Sequence, residues 1–308
     1  MKFSKRVRNI QPSATLAVSA LAKKLKGEGQ PVLSFSAGEP DFPSPEAALK
    51  SARDAIDRGE THYTLNSGLP ELKKAVAAYY AKRFQLKYET SEIIISSGAK
   101  PLVYEALQAL VDPGDEVIVF APAWVSYVEQ IKMADGRPVA VDTSETGFVP
   151  VERDIRSVIS QKTAGMILNS PNNPTGEVYS GATLRMLAHL AAENDIWVLF
   201  DEIYERLVYG SVKFENILQA APEIRDRVIL INGASKAYCM TGWRIGYALA
   251  PEELTAKIDN IQSHLTSNAS SIAQWAAVGA IEGAEGDVER CRAQFERRRD
   301  LLMGLLED

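Results

Sequence analysis

Cysteine is nearly absent from this chain. Cys239 and Cys291 are the only two in 308 residues, they lie far apart in the sequence, and neither sits in a CxxC or Cys/His spacing. That argues against a disulfide framework and against a zinc site, and it suits a reducing cytoplasm. A basic excess is missing too: 34 Lys and Arg stand against 40 Asp and Glu, for a formal net charge of −6. With both signs spread along the chain, no basic face is offered to nucleic acid or anionic lipid. No apolar stretch reaches the length of a membrane span, and the N-terminus, MKFSKRVRNIQPSATLAV, lacks the sustained apolar core of a signal peptide. Histidine is limited to His62, His189 and His264, and neither an internal repeat nor a low-complexity segment occurs. What is there, at 46% hydrophobic residues, is a soluble globular chain able to bury one large core or two smaller ones. Small-molecule chemistry is the function class left.

Short apolar runs alternate with longer amphipathic segments. The runs are Ile93 to Ile95, Glu116 to Phe120, Gly165 to Leu168, Ile196 to Phe200 and Val228 to Ile231, with helical patterns such as Pro101 to Val111 and Leu184 to Glu193 between them. This is the rhythm of an α/β fold, a mostly parallel sheet covered by helices on both faces. Polar or Gly/Pro-rich segments follow the runs: Ser96-Ser97-Gly98, Ala121-Pro122-Ala123-Trp124, Ser170 to Gly176, Asp201-Glu202 and Asn232-Gly233-Ala234-Ser235-Lys236. Ligands of open α/β sheets bind outside the carboxyl ends of the strands, so these segments point to one shared site.

Lys236 follows an apolar strand among small residues, with Arg244 a little further on. Desolvation and a nearby cation both lower a lysine pKa and favour the free amine that forms a Schiff base with an aldehyde. A lysine in such a place is, taken alone, more often a snorkelling surface residue. The other segments change that balance.

Taken together, Ser36-Ala37-Gly38-Glu39-Pro40-Asp41-Phe42, the run Tyr63 to Leu72, Ser170 to Gly176, Asp201-Glu202-Ile203-Tyr204 and the lysine segment resemble the class I aminotransferases. This is the fold-type I family that includes bacterial aspartate aminotransferases, and the resemblance runs through nearly the whole chain. It implies pyridoxal 5'-phosphate as cofactor, bound covalently by Lys236. It further implies that Asp201 meets the pyridine nitrogen, that Asn173 and Tyr204 hydrogen-bond the ring's phenolic oxygen, and that Trp124 stacks on the ring. Gly98, Ala99 and Lys100 would cradle the phosphate at a helix N-terminus and Arg244 would pair with it. Tyr63 would reach the phosphate of a neighbouring subunit in a homodimer with shared active sites. Gly38, Trp124 and Asn173 would face the substrate, with Gly38 bringing its backbone to the substrate carboxylate. Lys100 is similar to a lysine that some bacterial members place near a distal carboxylate. Simpler readings stand beside these: a helix N-cap for Asp201, an Asx turn before Pro174 for Asn173, core packing for Trp124 and Tyr63, and solvation for Lys100.

Two departures accompany the resemblance. Gly233 stands where many relatives have a phosphate-binding serine. Family members also continue well past the point where this chain ends, inside the amphipathic pattern that runs from Asp287 with no Gly or Pro stop, and the continuation carries the arginine for the substrate α-carboxylate. The expected organisation is an N-terminal arm and small-domain portion over residues 1–44, a large cofactor domain over 45–286 and the start of a truncated C-terminal small domain over 287–308. The expected reaction is ping-pong transamination between an L-amino acid, aspartate for preference, and a 2-oxo acid such as 2-oxoglutarate, slowed in this chain by the missing segment. A lyase or synthase of the same fold would use the same cofactor residues, and a non-catalytic cofactor-binding module is the third reading.

Overall fold

Seven strands form one sheet: β1 (Ile93–Ser96), β2 (Glu116–Ala121), β3 (Arg137–Asp142), β4 (Thr163–Asn169), β5 (Trp197–Asp201), β6 (Val228–Gly233) and β7 (Gly246–Leu249), in the order β1-β7-β6-β5-β4-β2-β3. The structure is a computed structural model. It describes every residue except Lys5, Arg6, Asn9, Ser13, Ser36, Ala37 and Asp308, and of Ala14, Thr15, Leu16 and Glu307 only the backbone. Ser36 and Ala37 of the first sequence motif, and the chain's last residue, therefore lie outside the described residues.

All five apolar runs are strands, and they pair in parallel or lie parallel through β7, which is antiparallel to both β1 and β6. Two strands escape the sequence pattern. β3 carries Arg137, Pro138 and Asp142 because it is an edge strand, half exposed and paired only to β2, where a proline costs no central ladder bond. β7 lies within the segment that follows Lys236; it is only 4 residues long and is buried throughout.

Strand alternation divides the core in two. Ile118, Phe120, Met166, Leu168, Val198 and Phe200 face one layer of helices, while Val117, Val119, Ile167 and Leu199 face the other. The helices start where local chemistry allows: Ser180 caps Gly181–Glu193 by accepting from the Thr183 N–H, and Pro70 opens Pro70–Phe84. Helices Glu46–Asp57 and Ser271–Gly283 pack together closely, and a Cβ on Gly279 would strike the Ala47 carbonyl. The long helix Glu285–Glu307 is tied down at its start by Arg206, a buried guanidinium that pairs with Glu285 at 2.6 Å and Glu289 at 2.9 Å. Its last turns expose Leu301, Leu302, Met303, Leu305 and Leu306. Among the described residues no helix is long and apolar enough to cross a membrane.

Candidate active site

The carboxyl ends of β1, β2, β4, β5 and β6 open into a cavity of about 690 Å³. Gly38, Ala99, Lys100, Trp124, Asn173, Asp201, Tyr204, Lys236 and Arg244 all line it. Nine positions singled out from the sequence are thus brought together, and Gly98 adjoins them through Ala99. A larger, mainly apolar cavity of about 840 Å³ lies on the other side of Lys100. The smaller one is the candidate site, because an amine, a buried carboxylate, a phenol and a guanidinium converge there.

Lys236 stands just beyond β6 and points its Nζ at the Gly38 carbonyl, to which it donates at 2.5 Å, with the Tyr204 ring 5.7 Å away. Burial lowers its pKa, Glu39 opposes that shift and Arg244 adds to it, so the neutral amine becomes more accessible. A Cβ on Gly38 would meet no protein atom within 4 Å, so the glycine leaves open cavity clear and not a packing contact.

Asp201 ends β5 and is only 4% exposed. Tyr127 Oη donates to its Oδ2 at 2.7 Å and the Ile203 N–H to its Oδ1 at 3.1 Å. Burial raises its pKa to about 6, against the pull of both hydrogen bonds. The Ile203 contact is the local turn expected of a capping aspartate, so this carboxylate serves the turn and faces the cavity as well. Beside it, the Asn173 side-chain amide reaches Tyr204 Oη at 3.5 Å, and burial lifts the Tyr204 phenol to about 12. The Asx turn expected at Asn173 is made by Asn172, whose Oδ1 accepts from the Thr175 N–H and hydroxyl. That turn leaves the Asn173 side chain directed at Tyr204.

At the opposite wall, Gly98 sits at φ 96° and starts helix Ala99–Leu110 with no side-chain cap and no acidic residue in the first turn. Its first backbone N–H groups and its dipole favour an anion. The Arg244 guanidinium lies against Gly98 so closely that a Cβ there would collide with it. Arg244 Nη1 also donates to the Thr241 carbonyl at 3.0 Å. Lys100 Nζ stands 4.7 Å from the centre of the Trp124 ring, and burial together with Arg244 lowers its pKa. Trp124 is half-buried in the cavity wall and so not a core tryptophan, while Lys100 is exposed, so its solvated reading stands beside the contact with the ring.

Gly233 has a packing reason. A Cβ there would come 2.7 Å from the Ile245 carbonyl oxygen, because β6 and β7 pair at Gly233 and Gly246 with the chain before Gly246 lying against Gly233. A serine does not fit without moving β7. Tyr63 is 92% exposed and outside the cavity, which rules out the core-tyrosine reading.

Sequence reasoning misses Tyr127 and Asn169. Asn169 is the polar last residue of an apolar strand, and it accepts from the Asn173 N–H at 2.7 Å while donating to the Asp201 carbonyl at 2.9 Å. Its place at a strand end is the available signal. Tyr127 lies one helical turn from Trp124, ring centroids 5.2 Å apart, and that i, i+3 spacing is the only hint that it shares the wall.

Residues 30–308 match the family described as Aminotransferase class I and II. The chain is 42% identical over 303 residues to an aspartate aminotransferase of Geobacillus stearothermophilus, covering 98% of this chain and 77% of that protein. It is 44% identical over 299 residues to a probable aspartate/prephenate aminotransferase of Rhizobium leguminosarum, covering 96% and 75%. The solved structure of aspartate aminotransferase from Thermus thermophilus with maleate superposes with a TM-score of 0.95 at 41% identity, over 99% of this chain and 80% of that one.

Proposed function

The chain belongs to the class I and II aminotransferases, pyridoxal-phosphate-dependent enzymes that exchange amino groups between amino and 2-oxo acids, and on that premise we propose that it transaminates aspartate with 2-oxoglutarate at the cavity around Lys236. The observation that carries this reading is the convergence of Lys236, the buried Asp201 carboxylate and the Arg244–Gly98 corner on one cavity.

The residues fit the cofactor. Asp201 is a nearly fully buried carboxylate whose hydrogen-bond partners are a hydroxyl and a backbone N–H, a dry site suited to a cationic ring nitrogen. Trp124 offers a flat apolar wall, Asn173 and Tyr204 offer donors to a phenolic oxygen, and Arg244 with the helix N-terminus at Gly98, Ala99 and Lys100 suits the phosphate. When bound, pyridoxal phosphate supplies an aldehyde for capture by amines and a ring that accepts electrons. Lys236 would hold it through its amine and, once released, would serve as the base for the proton on the amino acid's α-carbon. Burial, which lowers the Lys236 pKa from its ordinary value, favours that role. Asp201 would keep the ring nitrogen protonated. Trp124, Asn173 and the backbone of Gly38 orient the substrate.

The substrate proposal rests on the names of the relatives and on Lys100. The Thermus thermophilus enzyme was solved with maleate, a dicarboxylate, and in this chain the exposed Lys100 ammonium beside Trp124, at the cavity wall, offers a partner for a second carboxylate. The exposure of Tyr63 is consistent with a homodimer in which this side chain reaches the neighbouring subunit's phosphate site. The domain division at 45 and 286 and a cytoplasmic location complete the reading.

The test is to load the protein with pyridoxal phosphate, reduce it with borohydride and map the labelled peptide. Aspartate, glutamate and the other amino acids are then titrated one by one while the cofactor spectrum is followed, with 2-oxoglutarate and prephenate as second substrates. Label at Lys236 and conversion to the amine form by aspartate are expected. Label at another lysine, or product formed without conversion of the cofactor, would sink the assignment, the latter in favour of a lyase.

A further inference from the structure

The two cysteines, separated by 52 positions in sequence, meet: Cys239 Sγ lies 3.8 Å from Cys291 Sγ, and both residues are half-buried. Cys239 belongs to the turn that follows Lys236, and Cys291 to helix Glu285–Glu307. The turn is held so that its cysteine faces that helix. Cys239 adopts φ 53°, in the left-handed region that non-glycine residues rarely enter. Its N–H donates to the Lys236 carbonyl at 3.4 Å, its carbonyl accepts from Ser44 Oγ at 3.2 Å, and Trp243 in turn holds Ser44 at 3.0 Å. The sulfurs are in van der Waals contact, and a disulfide would bring them to a bond length of about 2.05 Å.

We infer that Cys239 and Cys291 form a reversible disulfide when the protein meets a hydroperoxide, and that this bond fastens the C-terminal helix to the lysine turn and slows catalysis. The effect on catalysis rests on the proposed function; bond formation does not. Burial, with the neighbouring Cys291 sulfur and the Asp41 and Asp287 carboxylates, pushes the Cys239 thiol up to about 12, which disfavours Cys239 as the first nucleophile, and the first attack is assigned to Cys291. The Cys291 thiolate attacks the terminal oxygen of the hydroperoxide, the O–O bond breaks to give a sulfenic acid, and the leaving hydroxide or alkoxide takes a proton from solvent to become water or an alcohol. Cys239 sulfur then attacks the sulfenic sulfur, the S–O bond breaks, and the departing hydroxide takes the Cys239 proton as water. Two electrons pass from the thiol pair to the peroxide.

The linked elements also flank the strip of chain that covers the site. Asp41 pairs with Arg298 of the same helix at 2.7 Å, Phe42 stacks edge-on against Phe295 at 5.3 Å, and Gly38 accepts from Lys236. A covalent tie between helix and lysine turn restrains that strip, and substrate exchange that needs it to move slows accordingly.

The experiment treats the full chain with stoichiometric hydrogen peroxide and follows intact mass, peptides after digestion without reductant, and transamination rate. The expected result is a mass lower by two hydrogens, one peptide pair joining Cys239 to Cys291 within a single chain, a rate reduced severalfold, and full recovery with a thiol reductant. Cys291→Ala and Cys239→Ala proteins should each resist this reversible loss. Irreversible sulfinic acid without a cross-link, or a link between two chains, overturns the proposal. An intramolecular link with an unchanged rate overturns its regulatory half. A protein inactive before oxidation but still cross-linked would count against the proposed function and not against the bond.

Discussion

Below the cavity, Asp201, Tyr127 and Asn169 are 4%, 2% and 4% exposed and hydrogen-bonded to the site's own chain segments; above it, Arg298 and Asp41 pair with 51% and 61% of their side chains in solvent. The floor hangs on strand ends whose register is fixed by the sheet, and its charges act across little water, where each is strong and each misplacement costly. The cover is held by the exposed Arg298–Asp41 pair, which solvent screens, and by the Phe42–Phe295 contact. On the proposed function, the floor would govern the chemistry and the cover the access to it.

The largest effect should come from the floor. Asp201→Ala should leave a folded protein that retains pyridoxal phosphate poorly and reacts on the order of a hundredfold or more slowly, since a preorganised charge partner contributes a few kcal/mol to the transition state. Single-turnover rates with aspartate check this, and an unchanged rate would make Asp201 structural only.

Tyr127→Phe refines the same contrast. The hydroxyl it removes opposes the burial that raises Asp201 to about 6, so the carboxyl pKa should climb further. The carboxylate is then lost on acidification sooner than in the parent protein and restored as pH rises. Cofactor affinity should fall about tenfold at pH 6 and much less at pH 8, in keeping with a hydrogen bond to a charged group of about 1.5 kcal/mol. Absorbance titrations at the two pH values decide it, and a pH-independent loss would refute the linkage.

The smallest effect belongs to the cover. Arg298→Ala removes an exposed pair and its packing over Phe42 and Phe295, and should raise the KM for the amino acid by no more than a few-fold with the thermal midpoint nearly unmoved. A loss as large as that of Asp201→Ala would show that the cover is part of the chemical machinery, and the contrast between the two regions would fail.

The floor is more legible in the sequence than the cover for a physical reason. A polar residue at the end of an apolar run, such as Asp201 or Lys236, breaks a local pattern, and the pattern and the exception are visible together. Tyr127 breaks none, since an aromatic on a helix beside a tryptophan reads as ordinary core. β7 is hidden because its Gly246–Leu249 segment is short and pairs antiparallel between strands distant in sequence. The meeting of Cys239 with Cys291 depends on how a helix docks against a turn, which no local periodicity encodes; far apart in the chain, the two give no hint of contact. Gly233, a departure from the family pattern when read as a phosphate contact, makes sense only with Ile245 in view.

The pairing of β6 with β7 at Gly233 and Gly246 works as a gauge. Lys236 and Arg244 lie in the connection just beyond that pair, one leaving β6 and one entering β7, so the span between the amine and the guanidinium is anchored by a single hydrogen-bonded register. Both strands are bare of side chains at that pair, and a Cβ on Gly246 would run into the backbone of Gly98 and Ala99, so neither strand can slide without unseating the helix start that faces Arg244. On the proposed assignments, cofactor length is then measured by the backbone. Changes at Lys100, Trp124 or the cover can alter which amino acid is accepted, while the distance between aldehyde and phosphate that the protein tolerates stays the same.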